Sequence, residues 1–138
     1  FILNSKKVFL LKPQTFMNNS GGSLKSFLNY YNISPEETLV VHDELDLPVG
    51  TVKIKLGGGH GGLNGLRDVI KALGSKNFYR LRIGIEHPGS KNEVVDYVLN
   101  PPGKAELTAI KESMSRALNI TELLVSGNFE DAMKALHT

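Results

Sequence analysis

A glycine-rich loop between a predicted strand and a predicted helix is the feature that most constrains the fold of this chain. Residues 51–56 alternate apolar and basic side chains, which is typical of a half-buried strand. The next six residues, 57–62, include five of the 14 glycines, and apolar residues at helical spacing follow directly. Glycines in this position let backbone N–H groups approach an anion closely, and some of them are expected at positive φ. On this pattern alone, a functional loop and a tight structural turn both remain open.

The rest of the apolar pattern predicts strands that alternate with helices. Further strands are predicted at residues 8–11, 38–42 and 80–85. Amphipathic helices are predicted at residues 24–31, 66–73, 107–124 and 129–136. This order favours one α/β domain over residues 1–138, with helices covering a mixed, mostly parallel central sheet.

Composition excludes several classes of protein. Apolar residues make up 41% of the 138 residues and charged residues 22%, which is the balance of a globular domain. No apolar run approaches the roughly 18 residues that a membrane-spanning helix needs. The absence of cysteine excludes disulfides, thiolate metal sites and a cysteine nucleophile. The four histidines lack the spacing and carboxylate companions of a zinc site, so no metal is expected.

Charge is divided unevenly along the chain. Residues 36–50 contain five acids and no base, whereas residues 51–91 contain eight bases against two acids. Four of these bases are predicted to face outward from two strands: Lys53, Lys55, Arg80 and Arg82. If the two strands share a face, these cations would line a track suited to phosphates. A solvated basic face is the alternative.

Three polar residues are candidates for a reactive site. Asp43 follows the predicted strand at 38–42, where open α/β sheets often carry site residues, but an aspartate there is also an ordinary turn former. Asn18 and Asn64 carry amides that both donate and accept hydrogen bonds, and each could instead satisfy a loop or a helix cap.

Four motifs, in order along the chain, together resemble the bacterial peptidyl-tRNA hydrolase family. They are Thr15-Phe16-Met17-Asn18, then His42-Asp43-Glu44-Leu45-Asp46-Leu47-Pro48, then residues 57–66 from Gly57 to Leu66, and residues 78–85 with His87-Pro88-Gly89. The resemblance implies a monomeric, cytoplasmic hydrolase with three α/β/α layers. It would cleave the ester between peptide and tRNA in peptidyl-tRNA, with no metal, organic cofactor or membrane involved.

The resemblance also assigns roles to individual residues. Asp43 matches the aspartate that stabilises the working form of a catalytic histidine, and Asn18 and Asn64 are expected to share in the catalytic site. Three residues match positions that contact the tRNA terminus or the peptidyl ester: Phe16, Asn18 and Asn64. Lys55 and Arg82 match positions that bind an acceptor-stem phosphate, and Lys91 is a weaker match.

Two departures from the family pattern bear on activity. The catalytic histidine of the family lies in an N-terminal segment that would precede Phe1, so we expect the upstream segment to be missing and residues 1–138 alone to be inactive. The family often has a histidine directly before Asn64, whereas this chain has Leu63, which cannot donate a hydrogen bond.

Two other functions are alternatives to hydrolysis. A non-catalytic RNA-binding relative would retain the scaffold and the basic residues, but it would not need the carboxylate of Asp43. A nucleotide-binding α/β domain is disfavoured because the glycine loop lacks the lysine and the Ser/Thr that bind phosphate and metal in such domains.

Overall fold

The computed structural model describes residues 1–13, 20–86 and 103–137. Strands in these ranges are β1 (Ile2–Leu3), β2 (Lys6–Lys7), β3 (Leu39–Glu44), β4 (Val52–Leu56) and β5 (Tyr79–Gly84). Helices are α1 (Ser20–Tyr31), α2 (Asn64–Leu73), α3 (Lys104–Asn119), α4 (Thr121–Val125) and α5 (Phe129–His137), with a 3-10 turn at Pro35–Glu37. None of these helices has the length and apolar character needed to cross a membrane.

The larger sheet has the strand order β3-β5-β4 and is mixed. At one end of the β3–β5 pair, the Tyr79 N–H donates to the Thr38 carbonyl at 2.9 Å, and at the other end the Ile85 N–H donates to the Glu44 carbonyl at 3.0 Å. Residue numbers therefore increase in the same direction on both strands, so the pair is parallel. Between β5 and β4 the partners run in opposite directions, so that pair is antiparallel. The predicted α/β class with a mixed sheet is confirmed.

The N-terminal residues differ from the prediction. The apolar run at 8–11 was expected to be a buried strand, but residues 8–13 have no regular secondary structure and Leu10 is 89% exposed. Instead, β1 and β2 form a short antiparallel hairpin whose two turn residues both have positive φ. An apolar run indicates a tendency to be buried, but a strand also needs a hydrogen-bonding neighbour, and no described strand pairs with residues 8–11.

The chain divides into two compact units. The first consists of Phe1–Val8, Val41–Ile54 and Leu81–Thr138, and the second of Phe9–Val40 and Lys55–Arg80. In the second unit, α1 packs directly on α2, and the Gly21 N–H donates to Asp68 Oδ2 at 2.7 Å.

The predicted helix at 107–124 is wrong as a single element. It is two helices, α3 and α4, that meet at Ile120, whose φ of −103° and ψ of 9° leave the helical region. Ile120 is 5% exposed whereas Leu118 is 74% exposed, so the buried face differs from the one that the apolar spacing predicted. The break between α3 and α4 thus coincides with a buried apolar side chain.

A hydrogen bond joins helix α5 to β4 within the first unit. The Ile54 N–H donates to His137 Nε2 at 3.1 Å, so the ring is bound in its neutral form. Burial, and secondly the positive charge of Lys53, lower the pKa of His137 below its ordinary value of 6.5.

This contact predicts a pH-dependent stability. Because the unfolded chain binds the His137 proton more readily than the folded chain, the free energy of unfolding should fall as pH drops through about 6.5 toward the folded pKa. Urea unfolding at about pH 7.5 and about pH 5.5 measures this loss, which should be smaller in His137→Gln. Lys53→Gln should reduce it in part. Equal losses in wild type and His137→Gln would contradict the assignment.

Candidate functional site

Asp43 lies inside a strand rather than after one. The prediction ended the strand at His42, but β3 continues through Asp43 to Glu44. Because successive side chains alternate, Asp43 points to one face of the sheet while His42 and Glu44 point to the other. Asp43 is half-buried, and its carboxylate makes no hydrogen bond to another residue within the described ranges. Its oxygens can therefore accept a hydrogen bond from a further group.

The ring of His42 is fixed by the backbone of its neighbour. His42 Nδ1 lies 2.8 Å from the carbonyl oxygen of Asp43. Since a carbonyl only accepts, Nδ1 is the donor of this hydrogen bond, and Nε2 is the other ring nitrogen. That Nε2 atom is buried and has no hydrogen-bond partner in the described part of the chain. His42 is therefore oriented away from the carboxylate of Asp43 and is not its ring partner.

The glycine loop is held from inside by Arg80. Arg80 was predicted to face outward, but it is 2% exposed. Its guanidinium donates to the carbonyl of Gly58 at 2.6 Å and to the carbonyl of Gly59, and it lies 4.6 Å from the centre of the Phe78 ring. The prediction was wrong because strand alternation shows only on which face of the sheet Arg80 lies. It does not show that the glycine loop covers Arg80 on that face.

The loop has the backbone conformation that glycine permits. Positive φ values of 72°, 103°, 58° and 81° occur at Gly57, Gly58, Gly61 and Gly62, as predicted. Lys55 is exposed and its ammonium lies along the loop, since a Cβ built at Gly58 would be 2.9 Å from Lys55 Nζ. Lys55 is therefore an exposed cation beside the glycine loop.

Helix α2 begins at Asn64, a candidate site residue that follows the glycine loop. Asn64 is exposed, and its side chain has no hydrogen bond among residues that the structure describes. The residue before it, Leu63, is 8% exposed and belongs to the apolar core. The aliphatic side chain at this position is thus used for packing, while the amide of Asn64 stays accessible at a helix N-terminus.

The basic face of the first unit includes an ion pair. Arg82 Nε donates to Glu44 Oε1 at 3.0 Å, and the two side chains are 19% and 8% exposed. Because Gly84 N–H bonds to the Thr51 carbonyl across β5 and β4, the register places Lys53 directly opposite Arg82. The predicted track of four outward cations is corrected accordingly: Lys55 is exposed, Lys53 is half-buried, Arg82 is paired with an acid, and Arg80 is buried.

The structure does not test the remaining site predictions. Phe16, Asn18 and Lys91 lie outside the described residues. Asp43 belongs to the first unit and Asn64 to the second, and their proximity stays a prediction. Within residues 1–13, 20–86 and 103–137, no three His, Asp or Glu side chains form a group that could hold a metal ion.

The mixed sheet, the glycine loop before a helix and the half-buried strand aspartate define an α/β protein with a candidate acid–base site. A family model described as peptidyl-tRNA hydrolase matches residues 1–138. The chain belongs to the peptidyl-tRNA hydrolase family.

Relatives and solved structures agree with this assignment. The peptidyl-tRNA hydrolase of Ruthia magnifica is 54% identical over 136 residues, covering 99% of this chain and 71% of that protein. That of Coxiella burnetii is 48% identical, covering 100% of this chain and 74% of the relative. The crystal structure of peptidyl-tRNA hydrolase from Acinetobacter baumannii superposes with a TM-score of 0.89 at 44% identity, covering 91% of this chain and 64% of that one. This chain thus spans about three quarters of the curated relatives and just under two thirds of the solved chain. These matches do not support the expectation that residues 1–138 alone are inactive.

Proposed function

We propose that this protein hydrolyses the ester bond between the peptide and the tRNA of peptidyl-tRNA. The observation that carries the proposal is membership of the peptidyl-tRNA hydrolase family over residues 1–138. The half-buried carboxylate of Asp43, on a strand and open to a further hydrogen bond, supports it. We further propose that the enzyme acts as a monomer in the cytoplasm, without a metal or an organic cofactor.

Asp43 takes the positioning role in the proposed mechanism. A carboxylate that accepts the N–H of an imidazole holds the other ring nitrogen ready to take a proton from water, and it stabilises the imidazolium that forms. The hydroxide then adds to the ester carbonyl, the bond to the ribose oxygen breaks, and that oxygen takes the proton. His42 does not serve as this imidazole, because its ring is turned to the backbone and its side chain leaves the opposite face of β3.

The substrate-binding residues follow the same proposal. The amides of Asn18 and Asn64 hold the ester or the attacking water, and Phe16 contacts the tRNA terminus. Lys55 and Arg82, with Lys91 more weakly, bind phosphates of the acceptor stem. The exposure of Lys55 and the partial exposure of Arg82 support this assignment. Arg80 is not included, because its guanidinium is committed to the glycine loop.

A peptide-release assay tests the proposal directly. The protein is incubated with peptidyl-tRNA, and free peptide and deacylated tRNA are measured. We expect stoichiometric release of both products, with the same rate in the presence of EDTA. Binding of tRNA without release would instead favour the non-catalytic RNA-binding function. Release that stops on chelation would contradict the proposed metal-free chemistry.

A further inference from the structure

The ion pair between Glu44 and Arg82 joins two neighbouring strands inside the first unit. Glu44 is 6% exposed, at the end of β3, and Arg82 lies on β5, the strand parallel to it. The Ile85 N–H donates to the Glu44 carbonyl at 3.0 Å, so the backbone that carries Glu44 is itself fixed by β5. The acceptor of the Arg82 Nε bond is thus rigidly placed.

The carboxylate of Glu44 is directed at Arg82. Its Oε1 accepts from Arg82 Nε at 3.0 Å, while its Oε2 is buried and has no hydrogen-bond partner in the described ranges. A buried carboxylate is costly unless a cation pairs with it, so the pair holds Arg82 in one place. Among residues that the structure describes, Arg82 forms the ion pair with this buried acid.

One hydrogen bond at Nε determines where the rest of the guanidinium points. The group is planar and carries five N–H donors in a rigid fork, so fixing Nε also directs the outer edge that the two Nη atoms form. No hydrogen bond from these Nη atoms to a described residue occurs, and the side chain stays 19% exposed. A free Arg side chain would lose rotamer freedom on binding an anion, whereas this one has already lost it.

We propose that Glu44 is a positioning residue for tRNA binding, which holds Arg82 by Nε so that its Nη edge is presented to a backbone phosphate. This inference rests on the proposed function, because it takes peptidyl-tRNA as the substrate. The pair lowers the local positive charge but pre-orients the fork, so its benefit is geometric. Glu44 touches no reacting atom, and the ester chemistry does not depend on it.

A double-mutant cycle tests the proposal. The Kd for tRNA is measured for wild type, Glu44→Leu, Arg82→Gln and the double variant, each after unfolding curves have shown that it is folded. Glu44→Leu should raise Kd about tenfold, as should Arg82→Gln, and the double variant should be no weaker than Arg82→Gln alone. Glu44→Gln should stay within about twofold of wild type, because the Gln amide oxygen still accepts from Nε.

The salt dependence of tRNA binding provides a readout that a purely structural role would not change. Loss of one phosphate contact should lower the slope of log Kd against log salt by about 0.7–0.9, in Glu44→Leu as in Arg82→Gln. Lys55→Ala should lower this slope further in both Glu44→Leu and Arg82→Gln, because Lys55 is proposed to make a separate phosphate contact. If Glu44→Leu leaves both Kd and slope unchanged, the proposal is overturned.

A second variant keeps the test decisive if Glu44→Leu fails to fold. Arg82→Lys retains the charge and a partner for Glu44 but lacks the fork. It should bind tRNA about as weakly as Arg82→Gln, whereas wild-type affinity would overturn the proposal. Peptide release by wild type is recorded in the same experiment. Absence of release would contradict the proposed function, while the effect of Glu44 on tRNA affinity is judged separately.

Discussion

Asp43→Asn is expected to lower the rate of peptide release by roughly 10²–10⁴-fold. The Asn amide retains the shape of the side chain but loses the negative charge that stabilises an imidazolium. Its NH₂ group can also face the ring and favour the wrong tautomer. Single-turnover release of peptide from peptidyl-tRNA measures the chemical step without a contribution from product dissociation.

A neighbouring acid provides the matched control for this substitution. Asp46 lies three residues further along the same acidic segment and is exposed, so Asp46→Asn changes the local charge equally. It should release peptide at a rate within about twofold of wild type. The Kd for tRNA should be nearly the same in both variants. Full turnover in Asp43→Asn would remove the carboxylate from the mechanism and leave RNA binding as the stronger interpretation.

Gly21→Ala is expected to destabilise the second unit by several kcal/mol, in the range of the largest single-residue effects, about 4 kcal/mol or more. A Cβ at Gly21 would lie 2.4 Å from the carbonyl oxygen of Asp68 and 2.7 Å from its carbonyl carbon, and both are backbone atoms. Relief requires α1 and α2 to move apart, which also breaks the 2.7 Å bond from Gly21 N–H to Asp68 Oδ2.

The next residue in the same helix provides an unusually close control. A Cβ at Gly22 would meet nothing within 4 Å, and Gly22 is exposed. Gly22→Ala should therefore stabilise α1 by about 0.5–1 kcal/mol, since alanine loses less backbone entropy than glycine in a helix. Urea unfolding of the two variants should give changes of opposite sign. Equal effects would show that α1 and α2 do not pack as closely as the Gly21 contact requires.

Local sequence patterns predicted those helices that bury one continuous face along their whole length. The spacing of Leu66 and Val69 predicted α2, and the helical face around Leu28 predicted α1, because each buries one face along its length. The pattern did not predict the break at Ile120, since the buried position there is set by a turn of the backbone. It also placed Leu56 on the buried face of β4, whereas Leu56 is 50% exposed.

The candidate site was predictable to the extent that it depends on sequence position. Asp43 was identified from its place at the end of an apolar segment, and Asn64 from the hydrogen-bonding capacity of its amide and from the family resemblance. The partners of Arg80 and Arg82 were not predictable, because the loop carbonyls and Glu44 are brought to them by folding. The pair between Glu44 and Arg82 becomes expected only once β3 is known to extend through Glu44, because opposite charges on neighbouring strands favour a cross-strand pair.

The contact between Arg80 and the glycine loop determines which residues can replace Arg80 and which can replace Lys55, the cation opposite it. The register between β4 and β5 places Lys55 opposite Arg80. At position 55 a single ammonium suffices for the proposed phosphate contact, because an exposed side chain can reach a phosphate through charge alone. At position 80 two separate carbonyls must be met at once from a buried point, and one ammonium lacks the planar fork that does this. Two residues of like charge, facing each other in one sheet, thus meet different requirements: Lys55 needs only its positive charge, whereas Arg80 needs the planar shape of its guanidinium.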